Sequence, residues 1–349
     1  MEAFTTIAPA HGEVLEVQTA EQRDFRTLRE RAQTTAEQLD WLHLKHTEQE
    51  DLSIPRMLEF AWKSAAGCVA QCVEVAEEPD FSGHVMRFAA TSGASSARVH
   101  SLKTGTRYRW RVVGTDAQGA PCHSAVAEFL TADATPRWVF IEGVPNVRDL
   151  GGWRTRDGRR VRQGCIYRGG EFNSHNTATP EGLRFAEREL GLRTDLDIRC
   201  AQELAVLVTG GPALPSSVRW VNLPLAAYAD IDTPEQRGRY AAAFRVLADP
   251  ANYPIYMHCW GGADRTGTLA LLLNAALGVP DEELLQDYEM TALATWGARS
   301  RENELFREFL AMLDQYAPGQ DLRGRALAYW KAAGVTPAEV EHLASLLVE

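Results

Sequence analysis

Residues 257–267 read Met-His-Cys-Trp-Gly-Gly-Ala-Asp-Arg-Thr-Gly, so that Cys259 and Arg265 flank a pair of glycines. A tight glycine-bearing loop entering a helix points its amides inward together. The helix dipole adds partial positive charge where they converge, which makes the loop a cradle for an anion such as phosphate. The same field acts on sulfur: a free thiol has a pKa of about 8.5, and a helix N-terminus beside a cation favours the thiolate. Cys259 is therefore expected to be an activated nucleophile. The planar guanidinium of Arg265 can hold two phosphoryl oxygens at once through the transition state, a task for which lysine is a poor substitute.

The flanks supply the elements that hold such a loop. Tyr253-Pro254-Ile255-Tyr256-Met257 is a short apolar run of β-formers and predicts a buried central strand ending where the loop begins. After Arg265 the run 268–277 consists mostly of strong helix formers, and Gly278 with Pro280 stops it. A helix this apolar predicts burial on all sides.

The pattern His-Cys, five residues, Arg-Thr-Gly resembles the signature loop of cysteine-dependent protein tyrosine phosphatases, and Ala263-Asp264-Arg265-Thr266-Gly267 is similar to the Lys-Asp-Arg-Thr-Gly ending of their bacterial branch. Three further blocks follow the branch's order: Asn146-Val147-Arg148-Asp149-Leu150-Gly151-Gly152, Ile166-Tyr167-Arg168-Gly169-Gly170, and residues 192–199 ending Asp195-Leu196-Asp197-Ile198-Arg199. The tail Ala332-Ala333-Gly334-Val335-Thr336 before an acidic helix also resembles the family's ending, so the likeness runs from Trp138 to the C-terminus. It departs at Ala263, where lysine is usual and one positive charge is lost, and at Gly169, where serine is usual. The resemblance implies a phosphocysteine mechanism without metal or cofactor, with Cys259 and Arg265 catalytic. Trp260, Gly261, Gly262, Ala263, Thr266 and Gly267 would bind the phosphate.

Ester cleavage also needs a proton for the leaving oxygen. The branch points to Asp264, whose alternative reading is a helix N-cap. Asp230 and Asp232, after the strand-like residues 218–223, are the candidates for delivery from a separate loop. The Thr266 hydroxyl can stabilise the thiolate or simply start the helix, and His258 is read as ordering the loop backbone. Arg148 with Asp149, and Asp197 with Arg199, are read as structural corners and ion pairs.

With 349 residues, 45% hydrophobic and 24% charged, the chain has room for two globular domains. A net charge of −11 excludes general attraction to nucleic acid or anionic membranes. No apolar stretch is long enough to span a bilayer, and the first residues lack a signal-peptide pattern. A cytoplasmic location is expected, and the six scattered cysteines fit a reducing compartment.

Upstream, residues 20–46 predict one or two helices with Phe25, Leu28, Leu39, Trp41, Leu42 and Leu44 as an apolar stripe. Short segments of period-two alternation follow, among them Thr106-Arg107-Tyr108-Arg109-Trp110-Arg111-Val112-Val113, and predict a β-sandwich. Leu102-Lys103-Thr104-Gly105-Thr106-Arg107-Tyr108 resembles the fibronectin type III corner, in which a tyrosine hydroxyl ties a loop to the sheet. Arg107, Arg109 and Arg111 share a strand face and offer either a docking patch for an acidic partner or a solvated face. Residues 286–327 are helical and apolar, serving as core or as a lid.

The expectation is thus an α/β chain with three parts: a helical segment over 1–48, an all-β fibronectin type III-like sandwich over 49–135, and a cysteine-dependent phosphatase domain over 136–349 with a mostly parallel sheet flanked by helices. Its expected activity is protein-tyrosine phosphatase on a phosphorylated protein or small phosphate ester, with dual specificity open and a protein partner for the sandwich. A phosphate-reading pseudophosphatase adaptor and a rhodanese-like sulfurtransferase are the competing readings.

Overall fold

The computed structural model describes residues 3–32, 50–91, 93–207, 211–295 and 299–349. It divides the chain into two compact units, Met1–Thr19 with Pro55–Val139, and Ala20–Ile54 with Phe140–Glu349. This corrects the expected consecutive division at 48 and 135, because strands β1 (Phe4–Ala8) and β2 (Glu13–Leu15) precede helix α1 (Ala20–Ala32) and belong to the first unit. Those strands were hidden by their brevity and by exposed apolar residues, Ile7 at 60% and Val14 at 59%. Phe25 on α1 is buried as expected. The rest of the proposed stripe (Leu28, Leu39, Trp41, Leu42 and Leu44) lies outside the described side chains, as does Trp296.

In the first unit the chain continues through β3 (Leu58–Ser64), β4 (Val69–Ala76), β5 (Val85–Ala89), β6 (Ser96–Val99), β7 (Arg107–Thr115), β8 (Pro121–His123) and β9 (Ala127–Thr131). One sheet has the order β1-β3-β6; the other runs β2-β9-β7-β4-β5, with β8 paired to β7. The alternation along β7 does what period two requires, burying Tyr108, Trp110 and Val112. Phe60 of β3 meets Trp110 edge-on at 4.8 Å and Phe129 at 5.3 Å, so aromatic side chains from both sheets share one core. The Tyr108 hydroxyl accepts the Lys103 amide at 2.9 Å. On the opposite face Arg107 and Arg109 pair with Glu128, at 3.4 and 2.8 Å, and Arg111 pairs with Glu74 at 2.7 Å. The three arginines are therefore consumed within their own sheet.

The second unit is built on β10 (Arg148–Asp149), β11 (Ile166–Gly169), β12 (Thr194–Asp197), β13 (Arg219–Asn222) and β14 (Ile255–His258), in the order β10-β11-β14-β12-β13. The sheet is mixed: β10 is antiparallel to β11, and the other pairings are parallel. β14 sits in the middle and all four of its residues are buried, which is why its sequence reads as an unbroken apolar run. From it the chain passes through the Cys259 loop into a helix, Asp264–Ala276, whose residues from Thr266 onward are all buried. Gly278, at φ +91°, stands just beyond the end of that helix.

Around this axis the helices are α2 (Pro180–Arg184), α3 (Ala201–Leu204), α4 (Pro234–Leu247), α5 (Asp264–Ala276), α6 (Asp281–Glu289), α7 (Glu304–Tyr316), α8 (Leu322–Ala332) and α9 (Pro337–Leu347). Phe306, Phe309, Met312 and Leu313 of α7 are buried with Tyr329 and Trp330 of α8 in the main core. Most of the described apolar residues of the 286–327 stretch thus pack inward, in line with the core reading, while Leu305 at the start of α7 is 55% exposed.

One buried ion cluster ties the sheet to α6. Asp287 accepts from Arg148 Nε at 2.7 Å and Arg168 Nη1 at 2.5 Å, and both arginine side chains are 0% exposed. Asp149 accepts the amides of Gly151 and Gly164, so the Arg148-Asp149 block is a structural corner, as read from the sequence. Removing one partner from a buried pair leaves uncompensated charge at a cost of ~3–5 kcal/mol. Asp287→Ala is expected to destabilise the second unit by about that amount, seen as a lower urea midpoint in equilibrium unfolding. An unchanged midpoint would contradict this account of the cluster.

Candidate active site

The loop between β14 and α5 has its carbonyls pulled outward. His258 O accepts the Ile198 amide at 3.0 Å, and Cys259 O lies 3.0 Å from His258 Nδ1. Trp260 O accepts the Glu171 amide at 2.8 Å and Asn176 Nδ2 at 3.1 Å, Gly261 O accepts Asn146 Nδ2 at 2.8 Å, and Gly262 O accepts Arg168 Nη2 at 2.8 Å. Ala263 O accepts the Gly267 amide at 2.8 Å. With each of these carbonyls engaged, the amides of residues 260–264 turn to the other side and have no acceptor among the described residues. Such a loop at the N-terminus of a largely buried 13-residue helix has the geometry an anion would require.

Two glycines make the close approach possible. Gly262 has φ +65°, and a Cβ there would stand 2.2 Å from the Gly169 carbonyl oxygen. At Gly169 a Cβ would stand 2.2 Å from the Tyr256 hydroxyl, which donates to Gly170 O at 2.7 Å. The Tyr256 hydroxyl therefore fills the space that a serine would need, which explains the departure at this position. Asn146, the residue that holds Gly261, is itself left-handed at φ +63°. Asparagine tolerates that region better than bulkier residues do.

The ionised groups are arranged to match. Burial pushes the Cys259 thiol up, but Arg265 and hydrogen bonds from the Thr266 hydroxyl and amide outweigh it and hold the thiol below its ordinary value. The Thr266 hydroxyl is buried beside the sulfur. Arg265 is gripped by Glu203 in a bidentate pair, 2.6 Å on each arm. Burial pushes Glu203 up, yet Arg265 and the Cys200 amide bring it down to about 2. Glu203 sits on α3 just beyond β12, the strand beside β14, so the sheet order carries it to the loop.

Beneath the loop, burial lowers the His258 imidazole, but Asp195 and Asp197 raise it to about 9. His258 Nε2 lies 2.9 Å from Asp195 Oδ1. A protonated His258 thus donates from Nδ1 to the Cys259 carbonyl, the backbone-ordering part expected of it. Arg199 completes the layer, pairing with Asp197 at 2.8 Å and Glu171 at 3.1 Å, all buried. These are internal pairs.

The expected proton donors differ sharply in surroundings. The Asp264 carboxylate accepts from Arg299 at 2.7 and 3.0 Å and from the Tyr228 hydroxyl. Burial raises it, and Arg299 and Tyr228 hold it below the usual carboxylate range. Asp264 opens the helix without making a side-chain cap. Asp232 is exposed and engaged by Arg237 at 2.5 Å and by Tyr316. The Asp230 carboxylate is exposed and has no partner among the described residues. Of the remaining expected residues, Trp260 is half-buried with its ring 4.0 Å from His175, Ala263 is buried immediately before the helix, and a Cβ on Gly267 would crowd Arg168 and Tyr288 at 3.3 Å.

The structure brings Cys259, Arg265, Asp264 and Thr266 together and adds residues not singled out as site residues: Glu203, Glu171, Asn146, Arg168, Asn176, Tyr228 and Arg299. Asn146 and Arg168 stand in blocks that were visible only through the family likeness. Glu203, 62 positions before Arg265, gives no local signal.

Residues 139–349 match the tyrosine phosphatase family. A relative from Cupriavidus necator, named "Putative tyrosine-protein phosphatase", is 33% identical over 169 residues, covering 42% of this chain and 60% of that protein. The match thus spans less than two thirds of that relative's length. Among solved structures, the core catalytic domain of the PP-IP phosphatase Siw14 from S. cerevisiae in complex with citrate is similar at 19% identity and a TM-score of 0.28, covering 44% of this chain and 90% of that one. A second structure of the Siw14 catalytic core gives 20%, 0.27, 44% and 89%. By the family match, which takes in about three-fifths of its length, this chain belongs to the tyrosine phosphatase family.

Proposed function

We propose that the chain is a phosphoric monoester hydrolase, a protein-tyrosine phosphatase working through a phosphocysteine intermediate. The observation that carries this reading is the capture of every carbonyl from His258 to Ala263, which leaves the amides of residues 260–264 to face an oxyanion next to a thiol already biased toward thiolate. Cys259 attacks phosphorus in line while Arg265 and the loop amides hold the equatorial oxygens. Glu203 keeps the guanidinium in place for them. The Thr266 hydroxyl steadies sulfur as the leaving group when water later frees phosphate.

Asp264 is our assignment for the proton transfer. Arg299 and Tyr228 hold it ionised; a phosphate dianion bound beside Arg265 supplies like charge that pushes the carboxyl back up and lets it carry a proton. The surroundings favour an aryl phosphate over a polyanionic ester. Ala263 brings no charge where the family carries lysine, and the Trp260 and His175 rings lie 4.0 Å apart at the loop. We also assign the first unit to the fibronectin type III-like sandwiches, supported by its two-sheet order and by the Tyr108 hydroxyl on the Lys103 amide. A protein-binding role for it follows that likeness. The adaptor and sulfurtransferase readings are set apart by turnover itself: phosphate release against phosphopeptide capture without release, and against thiocyanate formation from thiosulfate and cyanide.

Metal-free phosphate release from phosphotyrosyl peptides is expected for wild type and abolished in Cys259→Ser, while Arg265→Ala loses about a hundredfold or more in kcat. Turnover retained by folded Cys259→Ser would refute the covalent mechanism. Alkylation of Cys259 by iodoacetamide is expected to show a pH midpoint below the ordinary thiol value of about 8.5. Because Arg265 lowers that value, the Arg265→Ala midpoint should rise; identical midpoints would contradict the electrostatic account. Among Asp264→Asn, Asp230→Asn and Asp232→Asn, the first is expected to lose roughly a hundredfold on alkyl phosphates and much less on p-nitrophenyl phosphate, whose leaving group needs no proton. The same selective loss in Asp230→Asn instead would reassign the acid.

A further inference from the structure

Tyr228 opens the short turn Tyr228–Ile231 with a left-handed backbone, φ +55°, which a bulky side chain adopts only when its surroundings impose it. Those surroundings are the first turn of α5. The Tyr228 amide donates to Thr268 Oγ1 at 3.1 Å, and that hydroxyl donates to the Asp264 carbonyl at 2.9 Å. The Tyr228 hydroxyl donates to Asp264 Oδ1 and lies 2.8 Å from the Tyr288 hydroxyl. A phenol has one proton, so with Tyr228 giving its own to Asp264, the bond between the tyrosines is donated by Tyr288. Tyr288 is fixed in turn by stacking on Phe306 at 4.0 Å and 17°.

The groups facing the Asp264 carboxylate are thus Tyr228 from the turn, Tyr288 of α6 behind it, Arg299, and Arg265 and Cys259 of the cradle. We infer that Tyr228 is a positioning residue: its hydroxyl fixes the Asp264 carboxylate beside Arg265 and, through the same contact, fastens residues 226–233 to the start of α5. This rests on the reading that Asp264 moves the leaving-group proton. Hydrogen bonding to the ionised form favours that form, so Tyr228 also sets the pH at which Asp264 takes up its proton. Burial and the neighbouring Asp264 push Tyr228 far up and keep it a neutral donor. Without the hydroxyl, Arg299 is the side chain among the described residues that still hydrogen-bonds the carboxylate.

The test follows the Asp264 carboxyl carbon by NMR in full-length protein with 13C-carboxyl aspartate, assigned with Asp264→Asn, beside kcat and KM profiles against pH on a phosphotyrosyl peptide. In Tyr228→Phe the Asp264 titration is expected to rise by about one pH unit, with a smaller rise in Tyr288→Phe. The fall of kcat at high pH should move upward with it, because the acid keeps its proton to higher pH, while KM changes little. An unmoved carbon titration in folded Tyr228→Phe overturns the inference, and so does a moved titration with an unmoved kcat limb. Tyr288→Phe serves the same purpose if the first variant does not fold. Wild type without any turnover would instead refute the phosphatase reading and with it the proton-transfer role, a result that the carbon titration distinguishes from loss of the Tyr228 contact.

Discussion

Six consecutive backbone carbonyls, from His258 to Ala263, are hydrogen-bonded away from the space that the loop encloses. Peptide groups are rigid planes, so a carbonyl fixed outward sends the next amide inward. Donors to four of them come from the strand edge at Ile198, from the segment after β11 at Glu171 and Asn176, from the left-handed Asn146, and from Arg168 within β11, while His258 and the Gly267 amide serve the other two. The cradle is thus a property of the surrounding sheet as much as of its own residues.

This dependence explains why so much charge is buried in the second unit. Taking Arg148, Arg168, Arg199, Asp195, Asp197, Glu171, His258 and Asp287 out of water is expensive, and such groups add little net stability over well-packed apolar side chains. What they provide here is direction. Arg168 reaches the Gly262 carbonyl because Asp287 holds its other arm, and His258 reaches the Cys259 carbonyl because Asp195 and Asp197 keep it protonated. Arg265 and Thr266 favour the Cys259 thiolate. Glu203 completes the arrangement by holding Arg265 through both guanidinium arms.

The strand, loop and helix around Cys259 were legible in the sequence because β14 and α5 are buried on all sides, and a run such as Ile255-Tyr256-Met257 or Leu269 to Leu273 admits little else. Tyr108, Trp110 and Val112 announced their sheet face by alternation. The β1 and β2 strands were missed because they are short, carry exposed Ile7 and Val14, and join strands beyond α1. Within the site, the nucleophile and its arginine stand in one motif, whereas Glu203 and Arg265 are 62 positions apart and Asn146 and Gly261 are 115 apart. Such pairs are made by topology and leave no periodicity or local spacing to read. The Asp264 partners escaped for the same reason, since Tyr228 and Arg299 lie on separate segments that meet only in the folded unit.

The claim that captured carbonyls create the anion site is tested most directly by titrating tungstate, a phosphate mimic, into Cys259→Ser protein by calorimetry, with and without Asn146→Ala. The account predicts one site per chain, weakened at least about tenfold when Asn146 releases the Gly261 carbonyl, since a lost hydrogen bond to a buried group is worth ~1–3 kcal/mol. Equal affinity in the two folded proteins would contradict it and place the binding energy in Arg265 and the helix dipole alone.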